Sequence, residues 1–181
     1  MDLVATPAQT IGPFFGFALP YDGDADLVPP GHPDAVQLIG RVLDGDGAPV
    51  PDALLEIWQA DATGEIPQRP GSRARDPFAF TGWGRAATDR AGWYRFTTVR
   101  PGPVAGAVPF IAMTVFARGL LRHLFTRVYL PGTADDRLLA SLPAERRATL
   151  VATADGPRLR FDARLQGPDE TVFLDFAAAD E

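Results

Sequence analysis

Apolar positions along this chain gather into short blocks, and Gly, Pro or an Asp-Gly pair closes most of them. The clearest block is RLRFDARLQ, where Leu159, Phe161, Ala163 and Leu165 alternate with Arg160, Asp162 and Arg164. A period of two turns the first set inward and the second outward, so the block predicts a half-buried strand. VQLIGRVL, from Val36, predicts another, followed by a tight Asp-Gly turn. ALLEIWQA follows and runs into the polar turn DATGE. TGWGRAATDRAGWYRFTTV predicts two strands around TDRAG, a hairpin-like pair. PFIAMTVFA, FTRVYL and TVFLDF predict further strands, and residues 67–80 read as a Pro- and Arg-rich loop.

Helix signals are confined to DDRLLASLPAERRATLV. Asp caps precede Leu138, Leu139 and Leu142, and Pro143 opens a second short turn. Many short strands with one or two short helices predict an all-β protein, an antiparallel β-sandwich over residues 34–181. Residues 1–33 lack a sustained period yet are too aromatic for a disordered tail. They predict an N-terminal arm that packs Phe14, Phe15 and Phe17 against something, a partner included.

Composition narrows the function. The chain has 181 residues, a net charge of -6, and 22% charged residues, which fits one soluble domain and argues against nucleic acid as a partner. With no cysteine there are no disulfides and no thiolate metal sites. MDLVATPAQTIGPFF has no basic start and no long apolar run, and no apolar stretch is long enough to span a membrane. A cytoplasmic location is the expectation. All 17 basic residues are arginine, whose planar guanidinium pairs well with carboxylates.

Candidate chemistry is sparse. His32 reads as a solvated loop residue, His123 as an edge residue or partner contact, and Tyr21, Tyr94 and Tyr129 as packing. Ser72 and Ser141 lie in an Arg-rich loop and a helix, with no nucleophile elbow. Glu56 alternates with Leu55 and Ile57, which makes it a candidate inward carboxylate paired with an arginine; Asp61 is the other candidate acid. Trp58 and Gln59 read as core-strand residues, Trp83 and Trp93 as sandwich packing, and Arg127 as a salt-bridge residue. These residues do not assemble an active site by themselves.

LIGRVLDGDGAPVPDALLEIWQADATGE, GRAATDRAGWYRFTTVRPGPV, FTRVYLPG and FDARLQGPDETVFLDF, taken in this order, resemble the intradiol ring-cleavage dioxygenases. The resemblance runs from Thr6 over nearly the whole chain. It implies an intradiol-type β-sandwich and membership of an Fe(III) enzyme that splits catechols with O2. Catalytic members hold iron with two tyrosines and two histidines. At the matching positions this chain has Ile66, Val104, Phe110 and Ala112, so the resemblance implies that all four ligands are lost and that no iron binds in this chain's own pocket.

TPAQTIGPFF and TVFARG resemble the non-catalytic α chain of two-chain members in particular. A catalytic β subunit of the same fold would then bind the Fe(III), in a higher oligomer of α–β units. Thr10, Gly12, Pro13 and Arg118 would line the partner's substrate pocket, where 3,4-dihydroxybenzoate is opened to 3-carboxy-cis,cis-muconate. Two rival readings stand beside this one. The first is a non-catalytic sandwich module that binds a small aromatic or carbohydrate ligand. The second is a self-sufficient hydrolase using Glu56 or Asp61.

Overall fold

Strand β1 (Val36–Leu43) buries every second residue along its whole length, as its sequence period demands. In the computed structural model, which describes residue 12 and residues 15–29, 31–68, 79–134 and 136–176, β1 is the centre of one sheet. It pairs antiparallel with β4 (Trp93–Thr98) and parallel with β8 (Arg158–Arg160) and β9 (Ala163–Arg164). The exposed edge strand β7 (Thr153–Asp155) completes the sheet through β8. The second sheet has the order β3-β2-β5-β6: Trp83–Ala87, Leu54–Trp58, Phe110–Phe116 and Leu124–Tyr129, all antiparallel.

The core lies between the sheets. Leu38, Val42 and Phe96 from the first meet Leu55, Ile57, Ile111, Met113 and Val115 from the second. Full burial of each such side chain is worth about 1.5–3 kcal/mol. Gly40 marks the tightest point of the first sheet. A Cβ there would lie 1.7 Å from the Phe161 carbonyl oxygen and 2.8 Å from the Tyr94 hydroxyl. That space belongs to the bond in which the buried Tyr94 hydroxyl donates to the Phe161 carbonyl at 2.6 Å.

The two-layer sandwich and its short helices agree with the sequence reading; several details do not. TDRAG closes a tight turn, with Asp89 N–H donating to the Trp93 carbonyl and Asp89 Oδ1 accepting from Ala91 and Trp93 N–H. The flanking strands are nevertheless not a paired hairpin: β3 pairs with β2 and β4 with β1, in opposite layers. RLRFDARLQ is not one strand. It breaks at Phe161–Asp162 into β8 and β9, where Asp162 Oδ1 turns back to accept the Arg41 N–H, although Leu159, Phe161 and Ala163 are buried as the alternation requires. Both pair parallel with β1, so the first sheet is mixed rather than purely antiparallel. TVFLDF contributes one bridge, Leu174 to Phe125, and no extended strand.

Three side chains also differ from expectation. Trp58 is 48% exposed, because it stands on the outer face of the second sheet, opposite its buried neighbours Ile57 and Gln59. Trp93 lies on the outer face of the first sheet, flanked by the Arg41 and Arg160 guanidiniums at 5.5 and 5.3 Å from its ring centre. Glu56 shares the outer face with Trp58 rather than turning inward.

Residues 15–29 fold back onto this chain's own sandwich. The short helix α1 (Phe15–Ala18) leads to Leu19, whose carbonyl accepts from Arg85 Nη1 at 2.9 Å; Tyr21 then stacks on Trp83, and Leu27 and Val28 are buried. Helices α2 (Arg137–Ser141) and α3 (Ala144–Ala148) form where Asp136 and Pro143 predict them. Asp136 Oδ1 accepts the Leu139 N–H at 2.9 Å, an N-cap bond. Its Oδ2 accepts the Tyr129 hydroxyl at 2.7 Å and faces Arg127 Nη1 at 3.4 Å.

Candidate functional site: a donor-free cavity and a distant arginine

After β2 the chain enters a turn built on Asp61. Its carboxylate Oδ1 accepts from Thr63 N–H, Thr63 Oγ1 and Glu65 N–H at 2.7–2.9 Å. The Thr63 hydroxyl, foremost, and the backbone N–H groups of the turn hold its pKa below the ordinary value against the opposing effect of burial. Two glycines clamp this turn to the 101–104 segment. A Cβ on Gly64, whose φ is +91°, would lie 2.1 Å from the Pro103 carbonyl oxygen, and one on Gly102 would lie 2.4 Å from that of Ala62. The clamp sets Ile66 and Val104 beside the start of β5, where Phe110 and Ala112 point to the same outer face as Trp58.

Ile66, Val104, Phe110 and Ala112 therefore line one cavity of about 220 Å³, with Trp58, Val108 and other apolar groups completing the wall. None of the four carries a side-chain lone pair for a metal. Gln59, the polar residue of the wall, has its amide committed: Nε2 donates to the Ala60 and Val99 carbonyls, and Oε1 accepts from Thr98 Oγ1 at 2.8 Å. Fe(III) needs hard anionic or imidazole donors, so these residues do not fit it. The Arg127 guanidinium sits 4.2 Å from the centre of the Phe110 ring but is held by Asp136 and the Tyr129 hydroxyl.

Arg118 is elsewhere. It follows β5 at the opposite end from Phe110, six residues beyond Ala112, on the order of 20 Å along an extended chain. Its Nε lies 3.1 Å from Asp52 Oδ2, and its side chain stays 60% exposed. The arm passes close by, since a Cβ on Gly16 would lie 3.8 Å from the Asp52 carbonyl. Gly12 is exposed. Thr10 and Pro13 lie outside the described residues, as do Phe14 and Ser72. Asp52, the partner of Arg118, carried no sequence signal beyond a Pro-Asp turn. Trp58, at the cavity mouth, was hidden by its place in an apolar block.

The remaining candidates are structural. Glu56 Oε1 accepts from Arg85 Nε and Nη2 at 2.9 and 2.6 Å, the predicted arginine pairing. With Asp61 bound into its own turn, both acids of the hydrolase reading are committed. Ser141 Oγ donates to the Leu138 carbonyl. His32 Nδ1 accepts from the Asp34 N–H, and His123 packs its ring edge-on to Phe125 at 4.6 Å. Arg127 makes the predicted ion pair.

The family model described as Dioxygenase matches residues 11–109. The protocatechuate 3,4-dioxygenase alpha chain of Burkholderia cepacia is 43% identical over 96% of this chain and 98% of its own length. The beta chain of the same organism's enzyme is 33% identical over 91% of this chain and 77% of its own length. Among solved structures, the dioxygenase domain of a carbohydrate-binding fusion protein from Streptomyces sp. SirexAA-E aligns with a TM-score of 0.57 at 24% identity, covering 79% of this chain and 87% of that one, a likeness of fold. A family match over more than half of the sequence, with 43% identity to an alpha chain over nearly its whole length, places this polypeptide in the intradiol dioxygenase family, on its protocatechuate 3,4-dioxygenase branch.

Proposed function

We propose that this chain is the non-iron-binding α subunit of an Fe(III)-dependent protocatechuate 3,4-dioxygenase. A homologous β subunit holds the metal. There O2-dependent intradiol cleavage converts 3,4-dihydroxybenzoate to 3-carboxy-cis,cis-muconate. The observation that carries this reading is the convergence of Ile66, Val104, Phe110 and Ala112 on one donor-free cavity, in a chain akin to both the alpha and the beta chains of the enzyme.

In this reading the chain's contribution lies at the other end of β5. Arg118, steered by Asp52 and flanked by the arm with Thr10, Gly12 and Pro13, supplies positive potential at the rim of the partner's pocket and favours a carboxylate-bearing catechol. Residues 1–33 serve as an arm that residues 15–29 anchor to this chain's own sandwich and whose exposed side meets the partner, and the α–β units assemble further into a higher oligomer in the cytoplasm. Among the described residues no helix is long and apolar enough to cross a membrane.

The experiment is reconstitution. The chain is purified alone and with a companion β subunit carrying intact Tyr/Tyr/His/His ligands, and iron content, ferric-tyrosinate absorption and turnover of protocatechuate are measured. Iron, colour and activity are expected only with the companion. Stoichiometric iron or ring cleavage in the chain alone would overturn the assignment.

A further inference from the structure

The cavity bounded by Trp58, Ile66, Val104, Val108, Phe110 and Ala112 has no task in the function proposed above, yet it is shaped to hold something. We propose that it is a binding site for a small uncharged aromatic molecule, a single ring of benzene or toluene size. Its volume of about 220 Å³ exceeds what one ring needs, since an apolar cavity of about 150 Å³ already admits benzene. Without a guest it would hold several waters. Each water wants two to four polar partners, and this wall offers few, because the Gln59 amide is satisfied within the protein. Exchange of poorly bonded water for a ring is therefore favourable.

The lining also selects. Phe110 and Trp58 present ring surfaces to an aromatic guest, and Ile66, Val104, Val108 and Ala112 present aliphatic ones. A carboxylate would enter without a counter-ion, because Arg127, the guanidinium against Phe110, is bound to Asp136 and Tyr129 and does not line the cavity. A sugar would leave its hydroxyls unpaired for the same reason. Access is open on one side, where Trp58 and Ile66 stand 48% and 45% exposed.

The test uses the full-length protein in the assembly in which it purifies. It is titrated with toluene to the solubility limit, and in parallel with benzoate, while tryptophan emission and ligand-observed NMR are followed, and only binding that a cavity-filling variant removes is assigned to this cavity, since benzoate also suits the partner's pocket. Toluene is expected to saturate the site with a Kd of about 1 mM or tighter, as befits a ligand of so few atoms, and benzoate to bind at least tenfold more weakly. Ala112→Leu, which fills the cavity from β5, is expected to weaken toluene at least tenfold. Val104→Ile, a smaller filling from the opposite wall, gives a lesser loss in the same direction and covers failure of the first variant to fold. Absence of saturable toluene binding, equal affinity for benzoate, or unchanged binding in the folded cavity-filling variants would overturn the proposal. The inference rests on the cavity alone: an assembly that cleaves protocatechuate normally but ignores toluene sinks it and leaves the proposed function standing.

Discussion

Arg118 and Asp52 form a pair whose value lies in direction. An exposed ion pair contributes about 0–1 kcal/mol to stability, so this one holds little of the fold. The contact of Arg118 Nε with Asp52 Oδ2 at 3.1 Å biases where the guanidinium points. Arg118→Ala in the assembled enzyme is expected to lower kcat/KM for protocatechuate about three- to tenfold, chiefly through KM, with Arg118→Lys retaining part of the activity. The wild type should also lose more activity than the variant as salt rises, since screening removes what the substitution removes. Steady-state kinetics at low and high ionic strength checks both, and an unchanged kcat/KM would remove Arg118 from the pocket rim. The cavity residues teach a different lesson at this scale. Ile66, Val104, Phe110 and Ala112 look like any apolar residues in a β protein, and no period or composition sets them apart. They became visible as a set through resemblance to a family that places ligands at those positions. They line one cavity because the 61–66 turn lies against the 101–104 segment, through the close approaches of Gly64 to Pro103 and Gly102 to Ala62, which no local pattern announces.

At the scale of elements, the period of two and the Asp and Pro caps are local signals, and most of the strands and both helices they predict form, TVFLDF and an unbroken RLRFDARLQ excepted. Pairing is not local. TDRAG has the chemistry of a hairpin turn, and its hydrogen bonds form, yet the layers on either side claim β3 and β4 separately. RLRFDARLQ alternates across a break because the strand partner, β1, needs Gly40 and the Phe161 carbonyl in one small space. The joint between α2 and β6 is the element contact most open to test. Burial raises the pKa of Asp136, but the Leu139 N–H, the Tyr129 hydroxyl and Arg127 together outweigh it and leave the value lowered. Burial, foremost, holds the Tyr129 hydroxyl up from 10.0 to about 12. A lowered carboxylate pKa stabilises the fold above the ordinary carboxylate range, and that contribution is lost as pH falls through the lowered value. A raised phenol pKa stabilises below pH 10.0, and its contribution is lost as pH climbs toward about 12. Asp136→Ala is expected to cost about 1–2 kcal/mol near neutral pH through the lost cap and the orphaned Tyr129 hydroxyl. It should also flatten the stability profile on the acid limb. Urea unfolding at pH 3, 5 and 7 reads both effects; a variant with the wild-type acid slope would show that Asp136 is not a source of it.

At the scale of the whole molecule the two outer faces of the sandwich are chemically unlike. The first sheet is dressed with Arg41, Arg95, Arg158 and Arg160 around Trp93, a surface that long guanidinium side chains keep wet. The second sheet carries, at the end away from Trp58, an aromatic chain from Phe116 through His123 and Phe125 to Phe176, with ring centres 4.6–5.3 Å apart. Phe176 is 67% exposed there, and Leu121, in the loop that joins β5 to β6, is 63% exposed. Scattered apolar residues are ordinary on a monomer, whereas exposed rings in continuous contact along one face are the kind of surface that marks an interaction site. A β subunit of the same fold is the occupant that kinship to a beta chain favours, and an obligate interface of 2,000 Å² or more is about the size such assemblies use. The asymmetry gives the prediction its control. Leu121→Asp with Phe176→Asp is expected to weaken association with the β subunit at least tenfold, whereas Arg95→Ala with Arg158→Ala, on the wet face, should leave it unchanged. Sedimentation velocity on the mixed chains, with circular dichroism to show that each variant is folded, reads the outcome. Equal weakening by both pairs would mean that the partner does not choose between the faces, and intact association of the Leu121 and Phe176 variant would place the interface away from the aromatic chain.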